Sequence, residues 1–137
     1  MKLVVSLLFA TVMFISTTIT AQTKTITVTI ENISSDEGKV GFALYNKVNF
    51  MKEPVQAKNA KIVNGKTEID FENITPGEYA VICYHDKNDN DKMDFSEYRM
   101  PLEDYGVSNN NMSFGPPNYE NAKFVVADKN VSLIIKF

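Results

Sequence analysis

Short segments in which apolar and polar residues alternate recur along the chain, and this period of two constrains the fold more than any other feature. The segment "TKTITVTIENI" places Ile26, Val28 and Ile30 on one face and threonines on the other. The segment "KVGFALYN" places Val40 and Phe42 on a common face in the same way. Such alternation of β-branched and apolar residues predicts half-buried β-strands.

Further strand-like segments follow, and turn signals separate them. "AKIVNGKTEIDFENI" predicts two strands joined at Asn64-Gly65, the strongest hairpin signal in the chain. "YAVICYHD" is apolar on both faces and predicts a central strand, and "AKFVVAD" and "VSLIIKF" predict the last two strands. We also expect the first two strands to form a hairpin across "SSDEG". About seven strands without a helical period predict an all-β fold, specifically an antiparallel β-sandwich of Ig-like or prealbumin-like type with long loops at one end.

The N-terminal segment has the layout of a secretory signal peptide. Lys2 precedes an apolar run from Leu3 to Ile15, and small and polar residues lead to Ala21. The run is shorter than the roughly 20 apolar residues that a membrane-spanning helix needs. We therefore expect a signal peptide over residues 1–21 and a single β-sandwich domain over residues 22–137, exported to the periplasm or secreted, with no membrane span after signal removal.

The charge and the cysteine content narrow the function classes. Removing Lys2 from 14 basic residues leaves 13 against 17 acidic residues, a formal charge of −4. This acidic balance without a basic run argues against a nucleic-acid partner. Cys83 is the only cysteine, so an intramolecular disulfide is excluded, and its apolar surroundings predict a buried residue. His85 lies two residues away and is expected to have a structural role.

The segment "YHDKNDNDKMDFSE" over residues 84–97 carries oxygen-bearing side chains at alternate positions. Calcium takes six to eight oxygen ligands, and an EF-hand loop supplies them at positions 1, 3, 5, 7, 9 and 12. With the first position at residue 86, the predicted calcium ligands are Asp86, Asn88, Asn90, the Lys92 carbonyl, Asp94 and Glu97. Magnesium and zinc fit this donor set less well. The alternative is a polar turn shaped by side-chain-to-backbone hydrogen bonds.

Two features depart from an EF-hand. Asp91 stands where the loop usually has glycine, although aspartate tolerates a left-handed backbone better than most residues. A strand, and not a helix, leads into the loop. Asp89 or Asp91 can also take the place of one of the named ligands. The sequence therefore predicts an EF-hand-like loop on a β-domain.

The segment from Pro76 to Phe124 resembles a family of exported bacterial proteins known as domain of unknown function (DUF) 2141. The motifs that carry the resemblance are Pro76-Gly77-x-Tyr79, His85-Asp86 with the Asn/Asp loop, Pro101-x-Glu103, Tyr105-Gly106 with Ser108-Asn109-Asn110, Gly115-Pro116-Pro117 and Ala122-x-Phe124. The resemblance implies an exported single β domain of a Gram-negative bacterium and no established activity. We also expect the "YGVSNNN…FGPP" segment to pack beside the Asp/Asn loop, with the alternative that its asparagines bind backbone groups.

These observations favour an exported, non-catalytic domain that binds calcium and, through its loops, a protein or glycan partner in the cell envelope. The alternative is a small hydrolase acting on envelope glycans, for which Glu103 and Asp104 are candidates by residue type alone. A structural module without a ligand beyond the ion is a third interpretation that the sequence leaves open.

Overall fold

The computed structural model describes residues 22–111 and 114–137, and the predicted signal peptide lies outside the described residues. The described residues contain eight strands, one short α-helix and a 3-10 turn at Ser108–Asn110. The strands and the α-helix are β1 (Lys24–Ile30), β2 (Lys39–Tyr45), β3 (Gln56–Ala60), β4 (Thr67–Ile74), β5 (Gly77–Asp86), β6 (Tyr105–Val107), α1 (Tyr119–Ala122), β7 (Phe124–Val126) and β8 (Val131–Ile135). In these two stretches no helix has the length and apolar character to cross a membrane.

The strands form two open sheets. The first has the order β4-β1-β8, in which β1 is antiparallel to β4 and parallel to β8. The second has the order β3-β2-β5-β6, with β7 pairing a different part of β5, and all its pairs are antiparallel. The prediction of a central strand is confirmed, because β5 has β2 on one side and β6 on the other. The parallel pair β1–β8 departs from the purely antiparallel arrangement that we expected.

One hydrophobic core joins the two sheets. Ile26, Val28 and Phe71 of the first sheet are fully buried in the same cluster as Val40 and Leu44 of the second. These are the apolar faces that the alternating sequence pattern marked. Each large apolar side chain that is removed from water in this way contributes about 1.5–3 kcal/mol.

Two predicted hairpins do not form as expected. β1 and β2 lie in different sheets, because each has a buried apolar face and the core lies between those faces. Asn64 and Gly65 do form a tight turn with positive φ angles of 53° and 71°, but this turn closes only a single bridge between Val63 and Lys66. The strands around the turn then diverge, since β3 pairs with β2 and β4 pairs with β1.

Long loops lie at both ends of the second sheet, and not at one end as predicted. The register pairs Lys39 with Asp86 at one end of β2 and β5, and Tyr45 with Ala80 at the other. The Asp/Asn loop follows Asp86, whereas α1 lies near Tyr45, because the Phe50 ring contacts both Tyr45 and Tyr119. The two loop regions are therefore separated by six residues of strand, about 20 Å.

Side chains cover parts of the outer edges of the first sheet. Gln56 and Lys58 of β3 donate hydrogen bonds to the carbonyls of Glu72 and Asp70 on β4. On the opposite edge, the Asn110 amide donates to the Ile134 carbonyl and accepts from the Lys136 N–H. These are backbone groups that a neighbouring strand would otherwise bind.

Candidate metal centre

The loop begins at Asp86, the last residue of the central strand β5. Its side chain is fully buried, and its two carboxylate oxygens accept the backbone N–H groups of Asn90, at 3.0 Å, and Asp91, at 2.8 Å. A buried carboxylate needs such donors because removal from water is otherwise costly. The two bonds curl residues 86–91 around the Asp86 carboxylate.

Four further predicted ligands lie in this curl. The Asn88 amide donates to the Asp94 carboxylate at 2.6 Å, and the Asn90 amide donates to both Asp94 oxygens at 3.0 Å. The Asn90 amide oxygen accepts the Lys92 N–H at 3.1 Å, which places the Lys92 backbone in the same turn. The alternate spacing of the sequence thus corresponds to real proximity from Asp86 to Asp94.

Glu97, the sixth predicted ligand, lies apart from this group. Phe95 and Pro101 form a bridge, and the Arg99 N–H donates to the Ser96 carbonyl, so residues 95–101 turn back on themselves. Glu97 lies in this turn and is exposed to solvent. The structure does not bring Glu97 to the other predicted ligands, because the chain leaves the loop as a small hairpin before position 12 is reached.

Glu103 takes the place beside the loop that we expected for Glu97. Its side chain is buried, and its two oxygens accept the N–H of Lys87 at 3.0 Å and the N–H of Asp94 at 3.1 Å. It therefore joins the first and the last part of the loop. The sequence carried a signal for this residue in the motif Pro101-x-Glu103, but the twelve-residue register pointed to Glu97.

Lys39 reaches the same loop from β2. Its ammonium lies 2.6 Å from Asp89, 2.6 Å from Asp91 and 3.7 Å from Asp86. Hydrogen bonds to Asp89 and Asp91 raise the pKa of Lys39 above its usual range. The possibility that Asp89 or Asp91 replaces a ligand gains no support, since both carboxylates are directed to Lys39.

The backbone of the loop adopts the left-handed conformation at two aspartates. Asp89 has φ 58° and Asp91 has φ 63°. The expectation that Asp91 accepts the conformation that glycine usually provides at this position is confirmed. Asp91 is held there by its N–H bond to Asp86 and by its ion pair with Lys39.

Cys83 and His85 form separate contacts and do not pair with each other. The Cys83 thiol is buried and donates to the Gly106 carbonyl at 3.5 Å, and burial raises its pKa. The fully buried His85 ring donates from Nε2 to the Glu37 carbonyl at 2.7 Å and stacks on Phe137. The expectation of a buried thiol is confirmed, and the contacts of His85 are compatible with the expected structural role.

The hydrolase candidates Glu103 and Asp104 have other partners. Glu103 holds backbone N–H groups of the loop, as described above. Asp104 is partly exposed, contacts the ammonium of Lys87 at 3.7 Å and accepts a hydrogen bond from the Ser34 hydroxyl. These contacts orient the two carboxylates towards structural partners, and they give no support to the hydrolase interpretation.

The segment that follows Tyr105 runs away from the loop. The Asn109 amide donates to the carbonyls of Asn121 and Lys123, and Asn110 binds β8. Only the start of the segment lies beside the loop, where Tyr105 pairs with Tyr84. The expectation that this segment packs against the loop is therefore wrong for Asn109 and Asn110, and for these two residues the alternative of backbone-binding asparagines is confirmed.

The donor set of the loop suits calcium better than a metal that prefers nitrogen or sulfur. Within residues 22–111 and 114–137, no three His, Cys, Asp or Glu side chains are grouped so that they could hold a metal ion. The candidate set instead mixes carboxylates with two amide oxygens and a backbone carbonyl, which are the hard donors that calcium accepts. The buried carboxylates of Asp86 and Glu103 are held in place by backbone N–H groups before any ion binds.

The fold and the loop together define a mostly β domain that carries an oxygen-donor loop at the end of its central strand. The model of a bacterial family described as "Uncharacterized protein conserved in bacteria (DUF2141)" matches residues 28–134. The chain belongs to this family, as the resemblance of its motifs indicated. Searches of curated proteins and of solved structures found no match.

Proposed function

We propose that the chain is an exported, non-catalytic domain, an Ig-like or prealbumin-like β-sandwich, that binds one calcium ion in the loop after β5. The proposed ligands are Asp86, Asn88, Asn90, the Lys92 carbonyl, Asp94 and Glu103, with Glu103 in place of Glu97. The observation that carries the proposal is the convergence of Asn88 and Asn90 on the Asp94 carboxylate, inside a curl anchored by the buried Asp86.

Calcium binding requires the carboxylates of Asp86, Asp94 and Glu103 to move closer together, since among the described residues no three such groups are near enough to hold a metal ion. It also requires the Asn90 amide oxygen to give up the Lys92 N–H. The Asn88 and Asn90 amides now present their nitrogens to Asp94. A rotation of each amide about its last torsion angle exchanges nitrogen for oxygen, because the two ends of an amide group have similar shape. Both amides and Asp94 can then direct oxygen atoms to one cation, while the backbone bonds to Asp86 and Glu103 keep the loop curled.

The proposed role of the ion is to fix the loop and the hairpin that it supports. The hairpin exposes the side chains of Phe95, Tyr98 and Met100, which are 56%, 87% and 64% accessible. Recognition sites are often built on loops that a rigid scaffold holds. We therefore infer that the calcium-ordered hairpin is the part of the domain that contacts a protein or glycan in the cell envelope.

Calcium is expected to stabilise residues 22–137 against heat. A ligand that binds only the folded state stabilises it by RT ln(1 + [L]/Kd), so calcium at ten times its Kd adds about 1.4 kcal/mol. For a domain of this size the melting temperature should rise by roughly 3–8 °C. Circular dichroism melting curves with chelator and with up to 10-fold excess calcium over the Kd from calorimetric titration would measure the shift.

Magnesium at the same concentration is the matched control and should give a clearly smaller shift, because the mixed carboxylate and amide loop suits a larger ion. The Asp94→Asn variant should lose most of the calcium-induced rise in melting temperature, since the Asn88 and Asn90 amides both contact Asp94. Calorimetry without heat of binding at millimolar calcium, together with an unchanged melting temperature, would contradict the proposal.

A further inference from the structure

Lys39 occupies an unusual place for a lysine at the end of a strand. It pairs in register with Asp86, and its side chain is only 19% exposed. Its ammonium contacts Asp89 and Asp91 at 2.6 Å each, and Asp86 at 3.7 Å. The side chain is therefore directed into the acidic loop and not into solvent, and it brings one positive charge to three carboxylates.

The contacts of Lys39 divide the loop carboxylates into two groups. Asp89 and Asp91 bind the ammonium and are more than half exposed, whereas Asp94 faces Asn88 and Asn90. Asp86 belongs to both groups, because it binds the loop backbone and lies beside the ammonium. A cation bound by Asp86 and Asp94 consequently shares one carboxylate with Lys39.

We propose that Lys39 is an internal counter-ion that competes electrostatically with calcium for this loop and thereby sets its affinity. This inference rests on the proposed calcium function and adds its regulation. In the calcium-free protein, Lys39 offsets the repulsion among Asp86, Asp89 and Asp91, so the loop keeps its curl. When calcium binds, the same ammonium repels it, since two cations at short range oppose each other even in a high dielectric.

The consequence is an affinity suited to calcium outside the cytoplasm. Calcium loops of extracellular modules have dissociation constants of about 10⁻⁴–10⁻³ M, and ligand charge count is one of the properties that tune them. Lys39 lowers the effective negative charge of the loop by one. We therefore expect the dissociation constant of the loop to lie towards this weaker end of the range of calcium loops.

The test compares calcium affinity in Lys39→Met and in the unaltered domain, residues 22–137 in both cases. Methionine keeps the length and the apolar stem of lysine and removes the charge. We expect calcium to bind about five- to tenfold more tightly to Lys39→Met, and the difference to shrink in high salt. Lys129→Met is the matched control, because it removes one charge at an exposed turn and should leave the affinity within about twofold.

Two further variants separate charge from packing. Lys39→Arg keeps the charge and should bind calcium with nearly the affinity of the unaltered domain. The double variant Asp89→Asn/Asp91→Asn removes the two carboxylates that hold the ammonium, so Lys39 opposes calcium at Asp86 without compensation. This variant loses two negative charges near the ion and binds calcium more weakly whatever Lys39 does. The test is therefore whether adding Lys39→Met to it restores calcium affinity about fivefold or more, and no restoration would overturn the inference.

The possible results distinguish this inference from the function on which it rests. If Lys39→Met binds calcium more tightly than the unaltered domain, the calcium function and the role of Lys39 are both supported. If Lys39→Met binds calcium and the unaltered domain does not, the role of Lys39 is supported and calcium binding by the unaltered chain is contradicted. Equal affinities in the two proteins, or weaker binding by Lys39→Met, overturn the inference and leave the calcium function standing. Absence of calcium binding in both proteins overturns both.

Discussion

Replacing Gly38 by alanine is expected to lower the free energy of unfolding by about 4 kcal/mol or more, among the largest effects of a point mutation. A Cβ atom at Gly38 would lie 2.0 Å from the Asp86 carbonyl oxygen. The residue also has φ +70°, which side chains rarely adopt. Because β2 and β5 are paired next to this point, the collision forces apart the strand ends that position Lys39 and Asp86. Thermal melting should show a loss of about 10 °C or more.

Gly65→Ala is the matched control for this prediction. Gly65 has φ +71°, nearly the same backbone angle, but the nearest atom to its added Cβ, the Ile33 carbonyl oxygen, is 3.0 Å away. The control should therefore cost only about 1–2 kcal/mol, the strain of the left-handed backbone. Similar losses in the two variants would show that backbone strain alone determines the effect, and that the close approach of Gly38 to Asp86 is unimportant.

Glu103→Gln is expected to weaken calcium binding roughly 10- to 100-fold and to destabilise the domain by about 1–3 kcal/mol. Both oxygens of Glu103 accept backbone N–H groups, one from Lys87 and one from Asp94. A glutamine side chain turns an NH₂ group towards one of those donors and leaves it without an acceptor. Calorimetric titration with calcium and urea unfolding in the presence of chelator measure the two effects separately.

Glu97→Gln makes the same chemical change six residues earlier in the chain. Glu97 is exposed in the hairpin turn, so this variant should keep its stability within about 0.5 kcal/mol and its calcium affinity within about twofold. A large loss of calcium affinity in Glu97→Gln with little change in Glu103→Gln would restore the twelve-residue register and contradict the ligand set proposed here.

The strands could be predicted from sequence largely because burial on one face leaves a period-two pattern. Ile26, Val28 and Ile30 are all fully buried, as their alternation with threonine indicated. The partners of the strands could not be predicted in the same way. β1 and β2 have equivalent patterns whether they lie side by side or face each other across a core, and only the complete set of strands decides between these arrangements. The Asn64-Gly65 turn shows the same limit, since its local chemistry fixed the turn but not the strands beyond it.

The candidate site also contains residues that the sequence could place and residues that it could not. The proximity of the candidate ligands from Asp86 to Asp94 could be predicted because they are close in sequence, and a short loop that curls around a carboxylate brings alternate residues together. The position of Glu103 beside the loop could not be predicted from the spacing of a twelve-residue calcium loop, because the hairpin of residues 95–101 interrupts that spacing. Lys39 lies 47 positions before Asp86 and reaches it only through the pairing of β2 with β5. A contact of this kind depends on the fold as a whole.

The covered edges of the first sheet bear on how the domain behaves at high local concentration. An exposed strand edge can recruit a second molecule and start the growth of a continuous sheet. Here Gln56, Lys58 and Asn110 bind backbone groups along those edges, so each open row is interrupted by the protein's own amide and ammonium groups. We therefore expect that loss of one of these three side chains would leave the folded core intact while freeing backbone groups on an edge that a second molecule could bind.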